Sequence, residues 1–162
     1  MSDRPFVHLH CHTDYSLLDG ACDIKKLMKI AAEQKMPAIA MTDHGNMFGT
    51  IEFYNEANNQ GIKPIIGCEV YVSQQGHKKR SDTDRYNHLV LLCENQEGYK
   101  NLINLVSTGY LDGFYYKPRV DKELLARHSK GLIALSACLR GHINDTWRAD
   151  KDEEAKRLAG DY

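Results

Sequence analysis

No stretch of the chain approaches the roughly 18 continuous apolar residues of a membrane-spanning helix, and the opening Met1-Ser2-Asp3-Arg4-Pro5 has none of the apolar core of a secretory leader. A soluble, unsecreted, cytoplasmic protein is expected. Surplus charge of either sign is missing as well: 21 lysines and arginines against 22 aspartates and glutamates leave a formal net charge of −1. The chain as a whole therefore has no basic field to hold nucleic acid unselectively, and any such binding must come from a local patch. Close cysteine pairs are absent too. Cys11, Cys22, Cys68, Cys93 and Cys138 show no Cys-x-x-Cys spacing, and an odd count of 5 argues against a disulfide framework and for a reducing compartment. No repeat or low-complexity tract interrupts the sequence.

What remains is ordinary globular composition, 42% apolar and 27% charged over 162 residues, enough for one core-bearing domain. Short β-rich runs alternate with helical patterns. Phe6 to His10, Pro37 to Met41, Ile62 to Val72, His88 to Cys93 and Leu132 to Leu135 read as strands. Helices are expected from about Ile24 to Gln34 capped by Asp23, from about Phe48 to Gln60 closed by Gly61, from Asn95 to about Thr108, and from Asp121 to about Arg127. This recurring order predicts a parallel sheet or barrel with helices outside. Trp147 to Tyr162 is charged and helical in composition and ends without a stop signal, as a truncation would.

In such an architecture the functional end is where strands finish and loops begin, and the metal-type residues fall there. His10 and His12, two apart on an extended segment, point the same way and can grip one ion. Asp19 lies in the following loop, and His44 directly follows the next strand in Thr42-Asp43-His44-Gly45. Glu69 sits inside the apolar run Ile65 to Val72, His88 opens a strand, and Cys138 follows the last visible one. A carboxylate buried in an apolar run costs several kcal/mol unless paired or metal-bound, so Glu69 demands a cationic partner. Singly, a strand histidine is more often a hydrogen-bonded core residue, and a cysteine small core filler. Jointly, four imidazoles, two carboxylates and a thiolate exceed the needs of one tetrahedral ion and imply two or three divalent ions. Nitrogen and sulfur donors favour zinc (Zn2+), with manganese (Mn2+) or iron (Fe2+) compatible. Such clusters hydrolyse phosphate esters by acidifying a bound water and clamping phosphate oxygens. His8 reads as core or as support for the ligands, and His77, His128 and His142 as surface residues.

Two segments read as loops. Gln74 to Tyr86 holds Gly76 and four cations, Lys78, Lys79, Arg80 and Arg85, in a flexible polar tip leading to His88. Those cations could hold a DNA backbone near the metals, and the composition fits a solvated hairpin tip equally well. Leu111 to Val120 contains Gly113-Phe114-Tyr115-Tyr116-Lys117-Pro118-Arg119, unusually aromatic for a connector.

The segments His10-Cys11-His12-Thr13, Thr42-Asp43-His44-Gly45, Gly67-Cys68-Glu69 and Leu135-Ser136-Ala137-Cys138 resemble successive motifs of the polymerase and histidinol phosphatase (PHP) superfamily. The longer opening Phe6-Val7-His8-Leu9-His10-Cys11-His12-Thr13-Asp14-Tyr15-Ser16-Leu17-Leu18-Asp19-Gly20 more closely resembles the start of the bacterial DNA polymerase III alpha subunits, the family C polymerases. Gly61-Ile62-Lys63-Pro64-Ile65-Ile66-Gly67-Cys68-Glu69 and Gly113 to Arg119 extend the likeness across nearly the whole chain.

The resemblance implies an α/β fold, the N-terminal part of a distorted seven-stranded β/α barrel. Residues 1–162 would be a partial PHP domain, its C-terminal strands, a closing Asp-x-His pair and the polymerase domains lying beyond Tyr162. It further implies that His10, His12, Asp19, His44, Glu69, His88 and Cys138 occupy the ligand positions of a metal-dependent 3′–5′ exonuclease site, weak or inactive in a fragment. DNA would be the substrate, with a sliding clamp and a proofreading exonuclease as partners through the full-length protein. Two other functions fit the same residues: a free-standing phosphatase acting on a small phosphate ester, and a metal-stabilised scaffold that docks a proofreading subunit.

Overall fold

The computed structural model describes residues 5–17, 19–136 and 138–162. Met1 to Arg4, Leu18 and Ala137, which take part in the segments quoted above, lie outside the described residues. The strands are β1 (Ala38–Met41), β2 (Lys63–Ser73), β3 (Tyr86–Cys93), β4 (Phe114–Tyr115), β5 (Lys117–Val120) and β6 (Leu132–Leu135). The helices are α1 (Ile24–Glu33), α2 (Thr50–Asn59), α3 (Gln96–Leu111), α4 (Lys122–Arg127), α5 (His142–Arg148) and α6 (Asp152–Asp161). Three helices start where a side chain can take up an orphan backbone donor: Asp23 accepts from Lys26, Asn95 from Glu97 and Gly98, and Asp121 from Leu124.

β2, 11 residues long, is the strand on which the sheet is built. β1 runs parallel to its first half, from Ala38 opposite Lys63 to Met41 opposite Ile66, and β5 parallel to its far end at Tyr71 and Val72. On the other side β3 is antiparallel to β2, and β6 antiparallel to β3. The fold is α/β as expected, but the sheet is mixed instead of all-parallel. The reason lies in the connection: β2 returns as β3 through a loop with no helix, and a parallel return needs a longer crossover.

Alternation places Cys68, Val70 and Val72 of β2 and Leu89 and Leu91 of β3 against Leu102 and Leu105 of α3. A second core joins Ile39 and Met41 of β1 to Ile24 and Met28 of α1 and Phe53 of α2. Phe6 to His10, expected as the first strand, is an irregular extended segment instead. It hangs on the β1 region through Ala40 N–H to His8 O and Thr42 N–H to Cys11 O, each 2.8 Å. Phe6, His8 and Leu9 face solvent, so no buried face fixes a ladder, and His8 is not a core residue.

The Gln74–Tyr86 segment is not a loose tip. Arg119, 1% exposed, reaches into it from β5: Nη1 donates to Asp84 Oδ2 at 2.5 Å, Nη2 to Lys79 O at 2.7 Å and to His77 O at 3.2 Å, and Nε to Gly113 O at 3.2 Å. His77, expected at the surface, is buried here, its backbone N–H donating to Asp121 Oδ2 at 2.9 Å and its ring meeting the same oxygen at 2.5 Å. Burial alone would raise the Asp121 pKa, and the hydrogen bonds from His77 and Leu124 hold it below the ordinary value. The aromatic connector likewise forms structure, the β4–β5 hairpin. Among the described residues no helix is long and apolar enough to cross a membrane.

Removing one partner of a buried ion pair strands the other, at a cost of about 3–5 kcal/mol. Arg119→Met should therefore lower the unfolding free energy by that amount in a urea titration. Limited proteolysis should then cut first within residues 74–86.

Candidate metal centre

The face of β2 and β3 opposite α3 carries Glu69, Tyr71 and His88. Tyr71 stands directly opposite His88, which makes Glu69 the diagonal neighbour of that histidine, and His88 Nδ1 lies 2.6 Å from Glu69 Oε1. Past Met41 the chain continues beside β2 for one further bridge, with Gly45 N–H donating to Glu69 O at 2.9 Å and Glu69 N–H to Asp43 O at 3.1 Å. His44 is thereby set next to Glu69, its Nδ1 3.7 Å from Oε2. Gly45 turns the chain at φ +64, where a Cβ would lie 2.8 Å from Pro118 and 2.9 Å from the Tyr71 ring. The segment hung on β1 brings His10 Nε2 to 2.6 Å and His12 Nε2 to 3.1 Å from the same Oε2. Asp19 Oδ2 meets His44 Nε2 at 2.8 Å, and Cys138 Sγ lies 3.4 Å from His88 Nδ1.

Six of the seven sequence-predicted ligands, His10, His12, Asp19, His44, Glu69 and His88, thus form one cluster of three overlapping triads, and within each triad the ligand atoms lie within 4.8 Å of one another. Cys138 joins its edge through His88. Glu69 is 1% exposed. Burial favours its neutral acid, but hydrogen bonds from His10, His12 and His88 and the charge of His44 hold the carboxyl well below the usual carboxylate range. For His12, burial works against the imidazolium, yet the hydrogen bond and charge of Glu69, with Asp19 and Asp43, raise its pKa above the ordinary histidine value. For His44, burial wins and the pKa falls.

That difference tests whether a cation fits. A neutral imidazole has one donor and one acceptor. If His44 Nε2 donates to Asp19, Nδ1 presents a lone pair toward Glu69 Oε2, and this buried nitrogen has no hydrogen-bond partner among the described residues. Two acceptors facing each other repel, and a divalent ion held by both turns the repulsion into attraction. Imidazole nitrogens with carboxylate oxygens and a nearby thiol form a donor set suited to zinc, manganese or iron.

The four loop cations are placed elsewhere. Lys78, Lys79, Arg80 and Arg85 are exposed, none lines the cleft of about 360 Å³ beside the cluster, and Lys78 pairs with Asp112 at 3.5 Å. Lys117 and Arg140 line that cleft instead. Sequence reasoning singled out neither, although the aromatic connector holding Lys117 was conspicuous. It also passed over Asp43 as a working group. This buried carboxylate accepts from Thr13 N–H at 2.6 Å, Thr13 Oγ1 at 2.7 Å and Ser16 Oγ at 3.2 Å. Ser16 Oγ in turn accepts from His44 N–H at 3.0 Å and lies 3.4 Å from His12 Nδ1. Asp43 therefore fixes the loop that sets the His12 and His44 rings in a stack, centroids 4.2 Å apart.

A family model described as the PHP domain matches residues 8–162. The chain is 54% identical over 156 residues to DNA polymerase III subunit alpha of Chlamydia trachomatis, covering 94% of this chain and 13% of that protein. It is 48% identical over 170 residues to DNA polymerase III subunit alpha of Helicobacter pylori, covering 99% and 14%. The chain thus spans 13–14% of the length of these curated relatives. A solved amidohydrolase structure from Chromobacterium violaceum, with bound sulfate and no metal, aligns at 25% identity and a TM-score of 0.46, over 63% of this chain and 32% of that one.

Asp43→Ala leaves the two buried Thr13 donors without their acceptor, a cost of about 2–6 kcal/mol at ~1–3 kcal/mol per stranded group. Urea denaturation should show that loss. Because the support of ligands typically contributes ~10–100-fold to metal affinity, zinc titration of the folded variant should show a weakening in that range.

Proposed function

The chain belongs to the PHP domain family, and on that premise we propose that its cluster is a metal-dependent phosphoesterase centre that removes nucleotides from the 3′ end of DNA, within the amino-terminal part of a bacterial DNA polymerase III alpha subunit. The observation that carries the reading is Glu69, a carboxylate at the centre of four imidazoles drawn from three separated stretches of chain. Its neighbour His44, whose buried Nδ1 has no hydrogen-bond partner among the described residues, supports metal binding over a self-contained hydrogen-bond network. The relatives' shared name supports DNA as the substrate, and other replicase subunits, including a sliding clamp and a proofreading exonuclease, as partners of the longer protein.

Two or three ions would be held among the overlapping groups His10–His12–Glu69, His12–Asp19–His44 and His44–Glu69–His88, each neutral imidazole serving one ion through its single lone pair, with Cys138 in reach of His88. Bound there, two or three divalent ions supply an acidified water and neutralise charge on the phosphate oxygens. The protein's own groups do the positioning. Asp19, His44 and His88 line the cleft, so the scissile phosphate is brought to them from that side. Lys117 and Arg140 line the same cleft and attract the flanking phosphates. Asp43 and Ser16 keep the His12 and His44 rings in one orientation, so no rearrangement is needed when the substrate enters.

The protein expressed with zinc and manganese supplied should purify with two or three divalent ions per chain by elemental analysis. Glu69→Gln and His12→Ala should each lose at least one ion. Hydrolysis of both a 3′-labelled single-stranded oligonucleotide and bis-p-nitrophenyl phosphate should fall by at least ~100-fold in these variants. Fewer than one ion per wild-type chain, or full hydrolysis by Glu69→Gln, would overturn the reading.

A further inference from the structure

Five large apolar side chains left to solvent, Leu17, Phe48, Tyr110, Phe114 and Tyr116, line a single cleft that reaches His44, His88 and Asp19. Single exposed apolar residues are unremarkable, whereas a clustered set beside a polar site marks a binding surface. Four of the five are flat rings, contributed by the loop before α2, by α3 and by the β4–β5 hairpin. Phe48 and Tyr110 lie 6.0 Å apart by centroid, Tyr110 and Phe114 6.1 Å apart and near parallel at 24°.

Tyr116 adds an independent sign. It is 77% exposed at the hairpin tip and sits at φ 58, a conformation that costs a bulky side chain energy and that glycine or asparagine adopts readily. An edge-on contact with Tyr115, centroids 4.6 Å apart, is a small return for that cost. A strained, exposed tyrosine at the rim of a cleft points to use by a ligand. Lys117 follows it directly, its Nζ 5.4 Å from the centre of the Tyr71 ring, and Arg140 lies on the same cleft.

We propose that this aromatic trough is a base-stacking subsite that selects single-stranded over double-stranded nucleic acid. It holds unpaired bases on Phe48, Tyr110, Phe114 and Tyr116 while Lys117 and Arg140 track the backbone toward the cluster. The proposal rests on the phosphoesterase reading for its orientation, since the cluster fixes where the phosphate must lie. Ring faces favour a nucleobase over an apolar peptide because the cleft also carries two cations suited to phosphates. A volume of about 360 Å³ is near the lower end of small-molecule pockets and suits an unstacked nucleotide unit, whereas bases inside a duplex are stacked on one another and offer no free face. Every base has a π-face, so selection is by strandedness and not by sequence.

The test is fluorescence anisotropy on the full protein with three probes capped by phosphorothioate linkages: an oligothymidylate, an abasic oligomer of equal length, and a duplex. The oligothymidylate should bind roughly tenfold or more tighter than either other probe, as stacking on even one ring allows. Phe48→Ala combined with Phe114→Ala, and separately Tyr116→Asn, should each shrink that preference several-fold. Tyr116→Asn should do so with no fall in melting temperature, since asparagine takes positive φ more readily; a fall with the preference intact would make Tyr116 structural and count against the proposal. Equal binding of base-bearing and abasic probes, or a preference unchanged in both variants, overturns it. If the wild type bound less than one ion and cleaved no diester, yet kept its preference for bases, the phosphoesterase reading would fall and the stacking site would stand.

Discussion

A carboxylate inside a sheet persists only if its surroundings supply protons or a cation, and Glu69 imposes that requirement on the whole of this structure. It lies on the longest strand, and the partners it needs come from the segment before α1, from the end of β1 and from β3. Holding them there accounts for much of the local architecture. The bridge that prolongs β1 beside β2 exists at Glu69 itself, and the turn at Gly45 lets the chain leave without striking Tyr71. Fold and site share the same hydrogen bonds. A proton-only network would satisfy Glu69, but it leaves the second acceptor at His44 facing an anion, and a bound cation resolves both.

Two buried side chains extend this organisation outward. Asp43 ties the His12 loop to the end of β1, and Arg119 ties the β2–β3 loop to the β4–β5 hairpin. The first orients ligands. The second holds the hairpin whose tip carries Tyr116 and Lys117, so the rim of the cleft is as well anchored as its floor. Loops thus behave here as extensions of the sheet, in keeping with binding groups held on a rigid scaffold.

Local chemistry made much of this legible in the sequence. Asp23, Asn95 and Asp121 read as caps because capping is settled within three residues, and the structure shows each side chain accepting from its helix. The gathering of histidines and carboxylates followed from residue type and from the burial that an apolar run forces on Glu69. What escaped depended on distant partners. His77 has a polar local context, yet Asp121 lies 44 positions away. Phe6 to His10 has strand-like composition, but strand formation needs a neighbour in register, and that segment makes scattered contacts. The antiparallel β2–β3 pair was available to reason, since Gln74–Arg85 contains no helix for a crossover, but periodicity does not reveal direction. The cationic loop drew attention because charge is visible in composition. Placement is not, and Lys117 and Arg140 were the residues placed at the cleft.

The contacts of Arg119 also bear on how this sequence can change over time. Asp84 meets this guanidinium through its carboxylate, and His77, Lys79 and Gly113 through backbone carbonyls, so substitutions at Asp84 and Arg119 cannot contribute independently. Replacing either partner alone strands the buried charge of the other. Drift through this region is therefore a matter of paired exchanges, open where single ones are closed. The aromatic tip, though itself in solvent and free to vary on packing grounds, inherits that history through the buried guanidinium that helps to fasten its hairpin.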